Sequence, residues 1–305
     1  MEFTNFKMLV RDEIAKRTGE NYKVRLNDVV KNNGVVLTGL TVMNEDSNIS
    51  PTIYLNNYYE EYQNGNISLV SIVNDVMDNY NQNRIDKCID MTKFLQYEYI
   101  KERIVYKLIN TEKNKELLED VPHMEFNDLS IVFECLVSEE KMGNATILIH
   151  NAHIKLWDKT VQELYAQANI NAPKIQPYDI KNMRDLICGM LCENERIDLE
   201  ENVFGDNASE CVRMYVLSNK NKIHGAACIL YPELLKDLAT AIGSGMYIIP
   251  SSIHEVILVP SVNCDDGESI RQMIREVNDT QVEMEEILSY SLYYYDKEED
   301  KVLIA

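Results

Sequence analysis

Strand-length apolar runs alternate along this chain with stretches of helical periodicity, and no apolar run is long enough to do anything else. Windows such as 246–249 and 256–259 are among the longest, far short of the ~20 residues that a membrane helix requires. The alternation predicts a mixed α/β fold, with helices laid over sheet faces. With 305 residues, 45% of them apolar, the chain can bury one large core or two modest ones.

The first part reads clearly. Phe3, Phe6, Val10 and Ile14 recur at intervals of three and four, so they predict a helix that Gly19 can end. Residues 24–42 hold Asn33-Gly34 among β-branched neighbours. That pair tolerates the positive φ of a tight turn and predicts a hairpin. Residues 51–55 predict a third strand, and Asn64-Gly65-Asn66 a loop. Ser68 then opens a helix with an apolar face of Leu69, Ile72, Val73, Val76, Met77 and Tyr80. Residues 81–97 are polar and mixed. They divide an N-terminal helix-hairpin-helix part, 1–97, from a C-terminal body, 98–305.

The body reads as two similar halves, about 98–192 and 211–305. Each runs strand, helix, strand, strand, helix, with starting strands about 110 residues apart. In the first half the strands fall at 104–109, 129–137 and 145–150. Thr160 and Glu163 form a capping box before Val161, Leu164, Tyr165 and Ala168. Pro173 and Pro177 bracket a loop, and a helix follows through Ile180, Met183, Leu186, Ile187 and Leu191. Residues 193–210 predict an exposed acidic loop. The second half has strands at 214–217, 246–250 and 255–260. Its first helix carries Leu234, Leu235, Leu238 and Ile242 and stops at Gly243 or Gly245. Ser269 and Gln272 predict a second capping box, and a hairpin of 291–295 with 302–305 closes the chain.

The net charge is −20 and the pI near 4.7. Such a surface repels phosphate backbones and anionic lipid, so neither nucleic acid nor membrane is an expected partner. An unknown protein or a small molecule remains. Residues 1–19 carry acids and no apolar centre, so no signal peptide is expected. The cysteines at 88, 135, 188, 192, 211, 228 and 264 are odd in number and irregularly spaced. They read as reduced thiols of a cytoplasmic protein, with Cys188 and Cys192 as small core residues. No Gly-x-Gly-x-x-Gly or P-loop pattern occurs, and no cofactor is expected.

Three groups could carry function. Ser251, Ser252, His254 and Glu255 place hydroxyls, an imidazole and a carboxylate together between two apolar strands. A nucleophile needs a base in reach and an orienter behind it. A catalytic His254 therefore needs a ring nitrogen not already spent on a structural bond; otherwise the serines are turn residues. His150 and His153, three apart, would share a helix face and could begin a metal site, with His123 or one of several acids as a third ligand. Tyrosine clusters at 54–62 and 290–295 offer contact surfaces, with Tyr58, Tyr59, Tyr293 and Tyr295 as the candidate binding residues. Paired acids such as Glu60-Glu61, Glu139-Glu140, Asp265-Asp266 and Glu285-Glu286 read as solvated faces or loops.

Several segments together carry a resemblance. They are Asn33-Gly34-Val35 through Leu40, Pro51-Thr52-Ile53-Tyr54-Leu55, and 104–110 with Asn114 and Leu117. Met214-Tyr215-Val216-Leu217-Ser218-Asn219 and Pro250-Ser251-Ser252-Ile253-His254-Glu255-Val256 complete the set. The chain resembles, over nearly its whole length, a family of uncharacterised proteins from anaerobic Gram-positive gut bacteria, defined by a domain of unknown function. The resemblance implies a bacterial cytoplasmic protein and brings no catalytic residues with it. The C-terminal third is more distantly similar to another uncharacterised bacterial family. The expectation is a non-enzymatic binding or regulatory protein; the alternative is a hydrolase or transferase using the Ser251–Glu255 turn.

Overall fold

The computed structural model describes residues 1–44, 47–84, 92–137, 145–190, 213–263 and 267–305. The fold is mixed α/β with antiparallel sheets. It divides into two compact units. The first is Met1–Phe94, and the second takes the described residues from Leu95 onward.

In the first unit, helix Phe3–Thr18 turns Phe6, Val10 and Ile14 fully inward. Strands β1 (Tyr22–Val30) and β2 (Val36–Asn44) pair antiparallel from Tyr22↔Asn44 to Val30↔Val36. Asn33 and Gly34 sit at φ 60° and 71° in the turn between them, which is why this pair stands there. Strand β3 (Thr52–Tyr54) adds to β2. Ser68 caps helix Leu69–Asn83 by accepting the Ser71 N–H at 3.2 Å, and Ile72, Val73, Val76 and Tyr80 enter the core. A further helix, Asn56–Gln63, carries Tyr58, Tyr59 and Tyr62.

The second unit has two sheets. Strand β4 (Ile104–Asn110) pairs along its length with β6 (Leu129–Val137). The other edge of β6 is shared by β5 (His123–Phe126) and β7 (Ala145–Leu148). The larger sheet runs β13-β12-β10-β11-β9-β8. Its strands are β8 (Tyr178–Asn182), β9 (Tyr215–Asn219), β10 (Met246–Ile249), β11 (Val256–Pro260), β12 (Tyr293–Asp296) and β13 (Lys301–Ile304). The triads β4-β6-β5 and β9-β11-β10 share one connectivity. In each, the first strand pairs antiparallel with the third, and the third with the second.

Local expectations meet three corrections. Thr160 and Glu163 do form a capping box, but the helix behind it, Val161–Ile175, continues through Pro173. Proline there removes only one hydrogen bond in the last turn. Ile180 lies in β8, and the helix it was grouped with starts at Met183. Since β8 pairs with β9, residues 178–182 belong to the second sheet rather than to the first half. Helix Gly267–Thr280 already includes Gly267, so Ser269 is inside its first turn and does not start it. Helix Leu234–Ile242 ends as expected, at Gly243 with φ 89°. Cys88, Cys192, Cys211, Cys264, the 193–210 loop, Glu139-Glu140 and Asp265-Asp266 lie outside the described residues.

Candidate functional site

Two strands that are otherwise almost wholly apolar each carry one charge. Val105 on β4 faces Glu134 on β6. Alternation therefore puts Lys107, two residues on, on the same sheet face and diagonal to Glu134. The Lys107 Nζ lies 3.4 Å from Glu134 Oε2, and the Glu134 side chain is only 2% exposed. Thr146 on β7 hydrogen-bonds Glu134 from the other side. Burial is the largest single influence on this carboxyl and opposes its ionisation. Lys107, the hydrogen bond and charge of His224, and Thr146 together outweigh it and lower the carboxyl to about 2.

His224 reaches Glu134 from the loop after β9. Buried Asn219 ends that strand and clamps the loop: its side-chain amide donates to the Ile223 carbonyl at 2.7 Å and accepts the Ile223 N–H at 3.3 Å. The next residue, His224, sits at φ 52°, a conformation a non-glycine residue holds only when its surroundings enforce it. Its Nδ1 lies 2.7 Å from Glu134 Oε1. An ionised carboxylate only accepts, so Nδ1 carries a proton, and whenever the ring is neutral the lone pair lies on Nε2. That Nε2 has no hydrogen-bond partner among the described residues.

The His254 ring lies nearly parallel to that of His224, with centroids 5.8 Å apart and planes at 10°. Its Nδ1 accepts the His224 backbone N–H at 3.2 Å, and its Nε2 faces Glu286 at 3.4 Å. Its backbone is fixed as well. The carbonyl accepts Ser218 Oγ at 2.7 Å, and the N–H donates to Ser252 Oγ at 3.0 Å. Burial lowers the His254 pKa and neighbouring His224 lowers it further, while Glu286 and Glu255 act the other way.

This arrangement overturns the Ser251–Glu255 turn as a self-contained catalytic group. Both His254 ring nitrogens have partners, and Ser252 Oγ is taken by a backbone N–H. Exposed Glu255 has no place behind the ring. Ser251 is held through its carbonyl, which accepts the Leu288 N–H at 3.2 Å. The site instead gathers Lys107, Glu134, Asn219, His224 and His254. Sequence reading missed His224 and Glu134, although a lone Lys and a lone Glu inside two apolar strands were a signal.

The other candidates fare as follows. His150 pairs with Asp120 at 2.7 Å, and His153 Nδ1 accepts the His150 backbone N–H at 2.9 Å. Their rings stand at 81°. His123 Nδ1 bonds the Val121 carbonyl at 3.0 Å. Among the described residues, no group of three His, Cys, Asp or Glu side chains could hold a metal ion. The imidazoles serve helix-end and loop bonds instead. Tyr293 and Tyr295 do share a face of β12, but it is the buried one, at 0% and 2% exposure. Tyr293 is therefore a core residue, and Tyr295 lines an internal cavity rather than an outer contact surface. Tyr58 and Tyr59 are half-buried against the core of the first unit, and Tyr59 packs on Phe3 and Phe6. Cys135 and Cys228 are buried free thiols, pushed by burial up to about 11 and about 12; Cys188 is free and half-buried.

The His254 shift has a measurable consequence. Its folded pKa lies below the ordinary 6.5, so the fold prefers the neutral ring. The stability this gives is complete above pH 6.5 and is lost as pH falls toward the folded value. Urea midpoints measured between pH 8 and 5 should fall more steeply for the natural protein than for His254→Gln. Equal slopes would remove His254 as the titrating group.

Residues 3–297 match the model of a family of unknown function, DUF5688, and the chain belongs to that family. No curated protein and no solved structure matches it. Among the described residues, no helix is long and apolar enough to cross a membrane.

Proposed function

We propose that this protein is an enzyme of the bacterial cytoplasm in which His224 acts as general base on a small ester or phosphoester. One observation carries the reading: a buried, ionised Glu134 holds His224 by Nδ1 and leaves Nε2 without a partner among the described residues. In such a pair the carboxylate fixes the tautomer and stabilises the imidazolium that forms. Nε2 takes the proton of water or of an acceptor hydroxyl as its oxygen attacks carbon or phosphorus. The bond to the leaving oxygen breaks, and the imidazolium returns the proton to that oxygen. Lys107 offsets the Glu134 charge while the ring is neutral. Free thiols support a reducing compartment, and the segments quoted above support a bacterial source. The charge of −20 favours a small substrate over a nucleic acid or a membrane.

A panel of p-nitrophenyl esters and bis-p-nitrophenyl phosphate tests this. His224→Asn should lower turnover about 10²–10⁴-fold, the usual contribution of a positioned base. Turnover that survives this change undiminished would contradict the reading, as would a panel on which the natural protein does nothing.

A further inference from the structure

A second feature of this unit stands apart from the histidine pair. A cavity of about 350 Å³ opens between the end of the Gly225–Leu230 turn, helix Leu234–Ile242 and strands β12 and β13. Its volume lies at the lower end of the range for small-molecule sites. Four rings line it, those of Phe126, Tyr165, Tyr231 and Tyr295. Behind two of them lies Tyr106, which packs on Tyr165 and Tyr231 at ring separations of 6.1 and 6.3 Å. The Tyr106 hydroxyl is buried with no hydrogen-bond partner among the described residues.

The charges at the mouth are uneven in what they leave open. Lys236 is engaged by Glu233 at 2.8 Å, and Lys301 faces Glu299 at 3.6 Å. Asp300 accepts from a neutral donor, the Tyr295 hydroxyl, at 2.6 Å, and its charge also acts on Lys236. That hydroxyl points its proton at the carboxylate, and the other carboxylate oxygen accepts no hydrogen bond among the described residues. Asp300 and Glu233 both hold a positive φ, 52° and 61°, so the chain keeps these two acids at the rim against a backbone cost. Aromatic walls with an available carboxylate suit a cation, which ring faces attract and an anion pairs.

We infer that this cavity is a binding site for a small aromatic amine, its ring among the tyrosines and its ammonium on Asp300. The inference is independent of the chemistry assigned to His224.

Tyramine and 4-hydroxyphenylacetate, matched in ring and opposite in charge, are the probes, with binding read by saturation-transfer NMR and calorimetry on the full chain. Tyramine should bind at least tenfold more tightly. Asp300→Asn should erase most of that preference, and Val302→Trp, a filling change at a half-exposed wall position, should abolish tyramine binding. Equal affinity for the two probes would overturn the inference, as would no binding of tyramine. Binding unchanged in Val302→Trp would do the same, since it would mean amine held by the acidic surface at large.

Discussion

Glu134→Ala should shift the urea transition of the second unit by about 3 kcal/mol, the lower end of the range for breaking a buried ion pair from one side. The lower end applies because Lys107 keeps 19% of its side chain in water and can rehydrate in part. The cost comes from what stays behind. Lys107 loses its counter-charge, Thr146 loses its acceptor, and His224 loses the group that holds its ring. Glu134→Gln keeps the shape and an acceptor but no charge, and should fall between the two. The pH dependence follows from the same residue. Its folded pKa is depressed, from the ordinary 4.5 to about 2. Its contribution is therefore complete above pH 4.5 and is lost as pH falls through about 2. The natural protein should lose stability across that window more steeply than Glu134→Gln. A Glu134→Ala protein as stable as the natural one would mean that no ion network exists on that sheet face.

Gly225→Ala is the second large effect. Gly225 follows His224 and lies where an added Cβ would meet Ser218 Oγ, the His254 carbonyl oxygen at 2.5 Å and the Asn219 nitrogen at 2.6 Å. Two of the three are backbone atoms, so no side-chain rotation relieves the clash. Overpacking of this kind costs about 1–3 kcal/mol. It also moves both histidines, since each is anchored within one or two residues of the contact. Gly189→Ala is the matched control. Gly189 sits in helix Met183–Met190 with nothing among the described residues within 4 Å of the added carbon, and the exchange should stabilise by about 0.5–1 kcal/mol. Thermal melts of the two variants should therefore move in opposite directions. A Gly225→Ala protein that melts with the natural one would show that His224 and His254 are not locked together as described.

What could be read in the sequence was local. Asn33-Gly34 announced its hairpin because only such residues accept two successive positive φ values. Thr160 with Glu163, and the stripe from Ile72 to Tyr80, announced their helices because caps and periodicity are set by neighbours. The site was not local. Glu134 and His224 stand 90 positions apart, and the loop after a strand of one sheet reaching a strand of the other, not spacing, brings them together. The Ser251–Glu255 cluster misled because nearness spent Ser252 Oγ on the His254 N–H, while distant groups, the His224 N–H and Glu286, took the His254 ring nitrogens. Alternation placed Tyr293 and Tyr295 on one face of β12, but it cannot say which face a second layer will cover. Ile180 fell on a helical spacing by chance and was claimed by β9. The sharper clue was charge out of place, Lys107 and Glu134 in strands that bury nearly everything else.

Long-range ¹⁵N–¹H correlation NMR on labelled protein at pH 8 reads the His224 tautomer directly. His224 should show a protonated Nδ1 and an unprotonated Nε2, with His254 the reverse, because its Nδ1 is spent on a backbone N–H. Glu134→Gln should relax that preference at His224 and leave His254 as it was. A His224 ring protonated on Nε2 in the natural protein would contradict the pairing with Glu134 and, with it, the general base.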